Sequence, residues 1–175
     1  MQYRRANTEG GTYFFTVNLA ERKKTLLVDH INDLRAAFKK VKISHPFIID
    51  AIVVLPEHLH TIWTLPKNDS DFSTRWRLIK SWFSKSLPRT ERINSSRMDK
   101  LERGIWQRRF WEHQIQDETD YNQHMDYVYY NPVKHGYVKN VIDWHYSSFH
   151  RDVENDIYSK DWGAEVVIDR NVGEG

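Results

Sequence analysis

His58 and His60 stand two residues apart, and on a β-strand that spacing projects both imidazoles from one face. Further along, Tyr127 and Asn131 stand four apart, the spacing of side-chain neighbours on a helix. Two neutral imidazoles and an amide oxygen are donors for a divalent cation that would keep open positions, and a phenol beside them is a nucleophile. Brought together, the four suit cleavage of a DNA phosphodiester through a tyrosyl-phosphate bond. Each half alone has a plainer explanation. An isolated His-x-His is more often two hydrogen-bonded histidines at a strand start, and Asn131 before Pro132 is a natural helix cap. Tyr127 has Tyr129 and Tyr130 beside it, and spacing does not choose among the three.

The chemistry explains why these types belong together. A phenol has a pKa of about 10, so it is a poor nucleophile at neutral pH unless a base or a positive charge assists it. A divalent ion polarises a phosphate and neutralises charge developing in the transition state. Magnesium prefers all-oxygen shells while imidazole suits later metals, so Mg2+ or Mn2+ is expected here, with Mn2+ working as well or better.

The elements that must position these residues follow from periodicity. Tyr13, Phe15, Val17 and Leu19 alternate with Thr12, Phe14, Thr16 and Asn18, which predicts a strand over Thr12–Leu19. Ile31, Leu34, Phe38 and Val41 predict a helix from about Asp29 to Ile43, stopped before Pro46. Phe47–Leu55 reads as a buried strand, Pro56-Glu57 as a turn, and His58–Leu65 as the returning strand. A second helix is expected over Phe72–Leu87 with Phe72, Trp76, Ile79 and Phe83 inward and Arg75, Arg77, Lys80 and Lys85 mostly off that stripe. The polar stretch 88–104 reads as a loop and Trp106–Ile115 as another strand. Asp117 is a good N-cap for a third helix, and Pro132 is expected to end it near Asn131. On that helix Tyr121, Met125 and Val128 face the core, while Asp120, His124, Tyr127 and Asn131 form a flanking stripe. The order β-α-β-β-α-β predicts an α+β, ferredoxin-like antiparallel sheet backed by helices, with a tyrosine-bearing helix and a C-terminal extension. That layout also serves RNA-recognition modules, so it does not settle function.

The 175-residue chain fits one domain, and its 39% apolar content can build a core. It has no cysteine, which excludes disulfides, thiolate zinc sites and thiol catalysis. With neither a membrane-length apolar run nor a signal-peptide pattern, a cytoplasmic, nucleoid-associated protein with no membrane partner is expected. Net charge is only +2, but eleven arginines and lysines lie between Arg75 and Arg109 against three acids. Trp76, Trp82, Trp106, Phe110 and Trp111 are interleaved with them, a nucleic-acid-binding pattern. Arg75, Arg77, Lys80, Arg108 and Arg109 are the candidates for DNA-backbone contacts, and Arg4 and Arg5 for bases or a groove.

Several motifs in order give a resemblance. Leu55-Pro56-Glu57-His58-Leu59-His60 followed by Trp63 resembles the His-hydrophobic-His motif of single-tyrosine transposases, and Asp126 to Gly136 resembles their tyrosine helix. Gly10–Val17, Ile105–His113 and Asp143–His150 are similar to the REP-associated tyrosine transposases in particular, over about Tyr3 to Gly163. The resemblance implies Tyr127 as nucleophile and His58, His60 and Asn131 as metal ligands. It implies a single-stranded substrate beside a REP-type hairpin with a 5′ guide tetranucleotide, giving a 5′-phosphotyrosine and a free 3′-OH. Glu57 departs from the asparagine often found there in the wider superfamily, and it alternates away from the metal face. On this reading residues 1–136 are the catalytic domain and 137–175 an aromatic, acidic extension packed on it, in a monomer, with a dimer as the open alternative. The competing classes are a non-cleaving binder of structured DNA or RNA hairpins, and a metal phosphodiesterase that uses water.

Overall fold

The computed structural model describes residues 8–164; Arg4 and Arg5, expected at DNA, lie outside the described residues. The elements run β1 (Thr12–Asn18), α1 (Leu26–Asp29), α2 (Ile31–Ser44), β2 (Ile48–Val54), β3 (His58–Thr64), α3 (Phe72–Ser86), α4 (Ser95–Met98), β4 (Trp111–Gln114), α5 (Glu118–Lys134), a 3-10 turn (Val141–Asp143) and α6 (Phe149–Glu154). The strands form one antiparallel sheet in the order β2-β3-β1-β4, the ferredoxin-like arrangement.

The alternation of β1 divides the molecule into two layers. Tyr13, Phe15 and Val17 enter a core with Leu59 and Trp63 of β3, Phe38 and Val41 of α2, and Trp76 and Ile79 of α3. Trp63 stacks on Trp76 with ring centres 4.3 Å apart. Burying each such side chain stabilises the fold by about 1.5–3 kcal/mol or more. Phe14 faces the other way, into a second core with Val53, Ile62 and the Met125, Tyr127, Val128 and Tyr129 side chains of α5. The sheet is therefore covered by α2 and α3 on one side and α5 on the other.

Three boundaries differ from the periodicity reading. α5 does not stop before Pro132 but carries it inside and continues to Lys134. Proline gives up one helical hydrogen bond there, and the next turn closes through Asn131 and Pro132 carbonyls accepting from His135 and Tyr137. The Trp106–Ile115 strand shrinks to β4. Trp106 bridges Leu19 and Gln107 donates to Asn18, while Trp111 pairs with Thr16, so residues 108–110 bulge out opposite Val17 alone. The 88–104 loop holds the short α4 and is fastened by Arg103, which bonds the Ser84, Leu87 and Pro88 carbonyls and both Glu91 oxygens. That arginine pulls the Glu91 carboxyl down to about 2. The Asp117 cap forms as expected, accepting from the Asp120 N–H at 2.8 Å.

The segment after α5 closes the outer edge of β2. Val54 N–H donates to the Tyr146 carbonyl, Ser148 N–H donates to Ile52, and the Trp144 indole donates to Val54. Phe149, Tyr158 and Trp162 then pack on the Tyr129 side of α5.

Candidate active site

β3 and β1 pair so that His58 lies opposite Asn18 and His60 opposite Thr16, which puts both histidines on the α5 side of the sheet. Their rings are 4.9 Å apart, and both are buried. α5 lays Tyr127 over this pair: its ring centre is 5.2 Å from that of His60 and 5.8 Å from that of Phe14. One turn on, Asn131 is fully buried beside His60, whose pKa it pulls weakly upward, and neither of its amide atoms meets a partner in good hydrogen-bond geometry among the described residues. The Nε2 of His60 is likewise buried without a partner. Buried polar atoms are seldom left unsatisfied, because each costs about 1–3 kcal/mol.

Each histidine is oriented through its other nitrogen. His58 Nδ1 is 2.9 Å from a Glu57 oxygen, and His60 Nδ1 is 2.8 Å from the Thr16 hydroxyl. This is the usual way a protein presents Nε2 to a metal. Burial lowers the His58 pKa to about 4, against a smaller upward pull from Glu57. Burial, then the His58, His135 and Lys134 charges, pushes His60 well below its ordinary value. Both imidazoles are therefore neutral at pH 7, the form a cation needs. Two oriented neutral imidazoles and an unsatisfied amide oxygen fit a divalent cation.

The three neighbouring tyrosines are now distinguishable. Tyr129 faces the C-terminal segment, where its hydroxyl bonds Asp152 and Ser148 and burial raises its pKa far above normal. Tyr130 is half-buried and packs at the edge of the same cluster. Tyr127 stands over the histidines, makes no hydrogen bond among the described residues, and has the Lys134 ammonium 5.0 Å from its ring centre.

The structure also gives positions in the site to groups that the sequence reading did not count among its residues. Glu57, expected to alternate away from the metal face, reaches back to orient His58, its second oxygen accepting from the Tyr137 hydroxyl at 3.3 Å. His113, Asp120 and His124 place ligand atoms within 4.8 Å of one another, a grouping that could hold a metal ion. Here Asp120 bridges the two imidazoles, at 2.8 Å from His113 and 2.9 Å from His124. The two rings are nearly parallel, 11° apart at 4.6 Å. Lone pairs lie in the ring plane, so stacked rings do not aim at one ion. The trio acts as a brace that presses His124 on Phe14, 4.9 Å away, beneath the site. The sign of it in the sequence was His124 four residues after Asp120 on the flank stripe.

The proposed DNA contacts separate. Arg75 is removed from them: it is 2% exposed, and all five of its N–H groups are used. They go to the His45, Pro46 and Asp71 carbonyls and to both oxygens of Asp69. The helical stripe placed it off the core, but the chain between α2 and β2 folds over it. Arg77, Lys80 and Arg108 instead line an open cleft of about 720 Å³ between α3 and the 97–110 segment, with Lys85, Arg89 and Arg97. The cleft lies on the opposite side of the sheet from Tyr127. Lys80 donates to the Gln107 carbonyl and Arg108 is bonded to Glu102 and Ser96, while Arg109 is exposed beside β4. Among the described residues no helix is long and apolar enough to cross a membrane.

No family model matches the chain. A REP-associated tyrosine transposase of Escherichia coli strain K12 is 50% identical over 173 residues, covering 99% of this chain and 96% of the relative. A Haemophilus influenzae relative of the same description is 51% identical over 163 residues, 93% of each chain. A solved structure of a REP-associated tyrosine transposase bound to a REP hairpin superposes with a TM-score of 0.84 at 49% identity, covering all of this chain and 98% of that one. The chain therefore belongs to the REP-associated tyrosine transposases.

Proposed function

We propose that the protein is a metal-dependent single-stranded DNA endonuclease and strand transferase that acts at REP-type hairpins through Tyr127. The observation that carries this reading is the convergence of Tyr127, His60 and the unsatisfied Asn131 amide on one buried spot. The hairpin substrate is supported by the hairpin-bound relative, and a 5′ guide tetranucleotide by the family resemblance.

His58, His60 and Asn131 would hold Mg2+ or Mn2+, which supplies Lewis acidity toward a phosphate oxygen. The remaining work falls to the chain. The brace of His113, Asp120 and His124 fixes Phe14, and Phe14 with His60 fixes the plane of the Tyr127 ring. Tyr127 Oη attacks phosphorus and its proton departs. The phosphorus–O3′ bond breaks, and the O3′ takes up a proton to leave as a free 3′-OH. The 5′-phosphate stays esterified to the tyrosine, which conserves the bond for strand transfer without ATP. Lys134 supplies positive charge beside the ring throughout.

The test is a denaturing gel of the protein with labelled single-stranded REP-type hairpin DNA and Mg2+ or Mn2+. A covalent adduct lost in Tyr127→Phe and kept in Tyr129→Phe and Tyr130→Phe is expected. Tight hairpin binding with no adduct under either metal would replace this reading by a non-cleaving module, and cut DNA without adduct by a water-using phosphodiesterase.

A further inference from the structure

Of the five aromatics interleaved with the basic residues, Trp76 and Trp106 are buried and Phe110 is half-buried in the α3-side core. Trp82 is exposed, but the Lys40 ammonium sits 3.2 Å from its ring centre. Trp111 is different: it is 40% exposed, and no ring or cation covers it among the described residues.

Its position follows from the pairing. Trp111 lies opposite Thr16 on β1, and Thr16 lies opposite His60 on β3. Residues directly opposite share a face, so His60, Thr16 and Trp111 form one row across the α5 side of the sheet. Two strand spacings separate the ends of the row, roughly 10 Å between backbones. A nucleotide whose phosphate lies at His60 and Tyr127 has its neighbour within reach of that distance. Trp111 also sits at the outer edge of β4, next to exposed Arg109 and after the bulge that carries Arg108. That edge separates the basic cleft along α3 from the site along α5.

We propose that Trp111 is a stacking platform for an unpaired base next to the cleaved phosphate, where the strand rounds the β4 edge from the basic cleft to the site. The ligand class is a single-stranded nucleobase of any identity, because every base offers a π-face. Stacking at this position sets how the flanking strand enters; the stem of a hairpin has no free base face to offer it. The assignment rests on the reading of Tyr127 only for which phosphate is cut.

The experiment uses the full chain as Tyr127→Phe, which forms no adduct, and a REP-type DNA hairpin whose single-stranded 5′ flank carries 2-aminopurine at one position at a time. Stacking on an indole quenches that fluorophore. Quenching confined to one or two flank positions and abolished by Trp111→Ala is expected, with Trp111→Phe retaining part of it. Trp111→Ala should weaken binding of the flanked hairpin by about five- to 150-fold and leave the flankless hairpin unchanged. Equal loss for both DNAs, or quenching that survives Trp111→Ala, overturns the proposal. Native protein that makes no adduct while the quenching obeys these rules refutes the nucleophile and not the platform.

Discussion

Replacing Arg75 by alanine separates a structural arginine from a DNA-binding one. Alanine removes five N–H donors at once, taking one hydrogen bond from each of three backbone carbonyls and from both Asp69 oxygens, of which Oδ1 keeps only the Asp71 N–H. Truncating one side of a buried ion pair costs about 3–5 kcal/mol. The Asp69 side chain is 31% exposed and can rehydrate, which places the expected loss near the lower end, about 3 kcal/mol. For a chain of this size that is roughly a 10 °C fall in Tm. Arg75→Lys keeps the charge but offers three donors to five acceptors, so about 2 kcal/mol should go. Urea unfolding measures the stability, and REP-hairpin binding across a salt series measures phosphate contacts. Arg77 is the counterpart, exposed in the cleft: Arg77→Ala should leave stability within about 0.5 kcal/mol and reduce the salt slope by about one. Unaltered stability in Arg75→Ala, together with a salt slope lower by about one, would refute the argument.

Calorimetric titration of Mn2+ should show binding lost in His60→Ala and retained in His113→Gln, because the second trio is a hydrogen-bonded brace; the reverse pattern would relocate the metal. Glu57→Gln should weaken Mn2+ binding by about 10–100-fold through loss of His58 orientation, and an unchanged affinity would make that contact incidental. Metal-free protein should lose stability as pH falls from 6.5 toward 4. His58 is neutral in the fold down to about 4, while in the unfolded chain it takes a proton below about 6.5. Its contribution is thus full above 6.5, and about 2 kcal/mol of it is gone at pH 5. Urea unfolding at pH 7 and 5 reads this, and His58→Gln should remove the His58 share of the difference and leave that of buried His60. Tyr129→Phe should cost about 1–3 kcal/mol by stranding the buried Asp152, visible in thermal unfolding.

What could be read from the sequence was whatever is periodic. The two sides of β1, the shared face of His58 and His60, and the flank stripe of α5 all follow from counting residues, and the sheet order follows from the element order. What could not be read depends on contacts between distant segments. Arg75 looks like any surface arginine until the 45–46 carbonyls and Asp69 close around it. Pro132 reads as a stop because its missing N–H is local, whereas the burial that carries α5 past it is tertiary. The bulge at 108–110 depends on which β1 residue Trp111 meets, and no alternation in that stretch records it. Tyr127 is separated from Tyr129 by Asp152, which lies beyond the end of the helix that carries both.

The closure of β2 by residues 144–148 also has a consequence for synthesis. Every residue of the site precedes that segment, so a growing chain presents the β2 edge before residues 144–148 can cover it. An open edge is a template for pairing with another chain. A chain released before Tyr146 would carry every site residue but leave the β2 edge unguarded and the Tyr129 side of α5 uncovered, so premature termination yields a sticky protein rather than a merely shorter one.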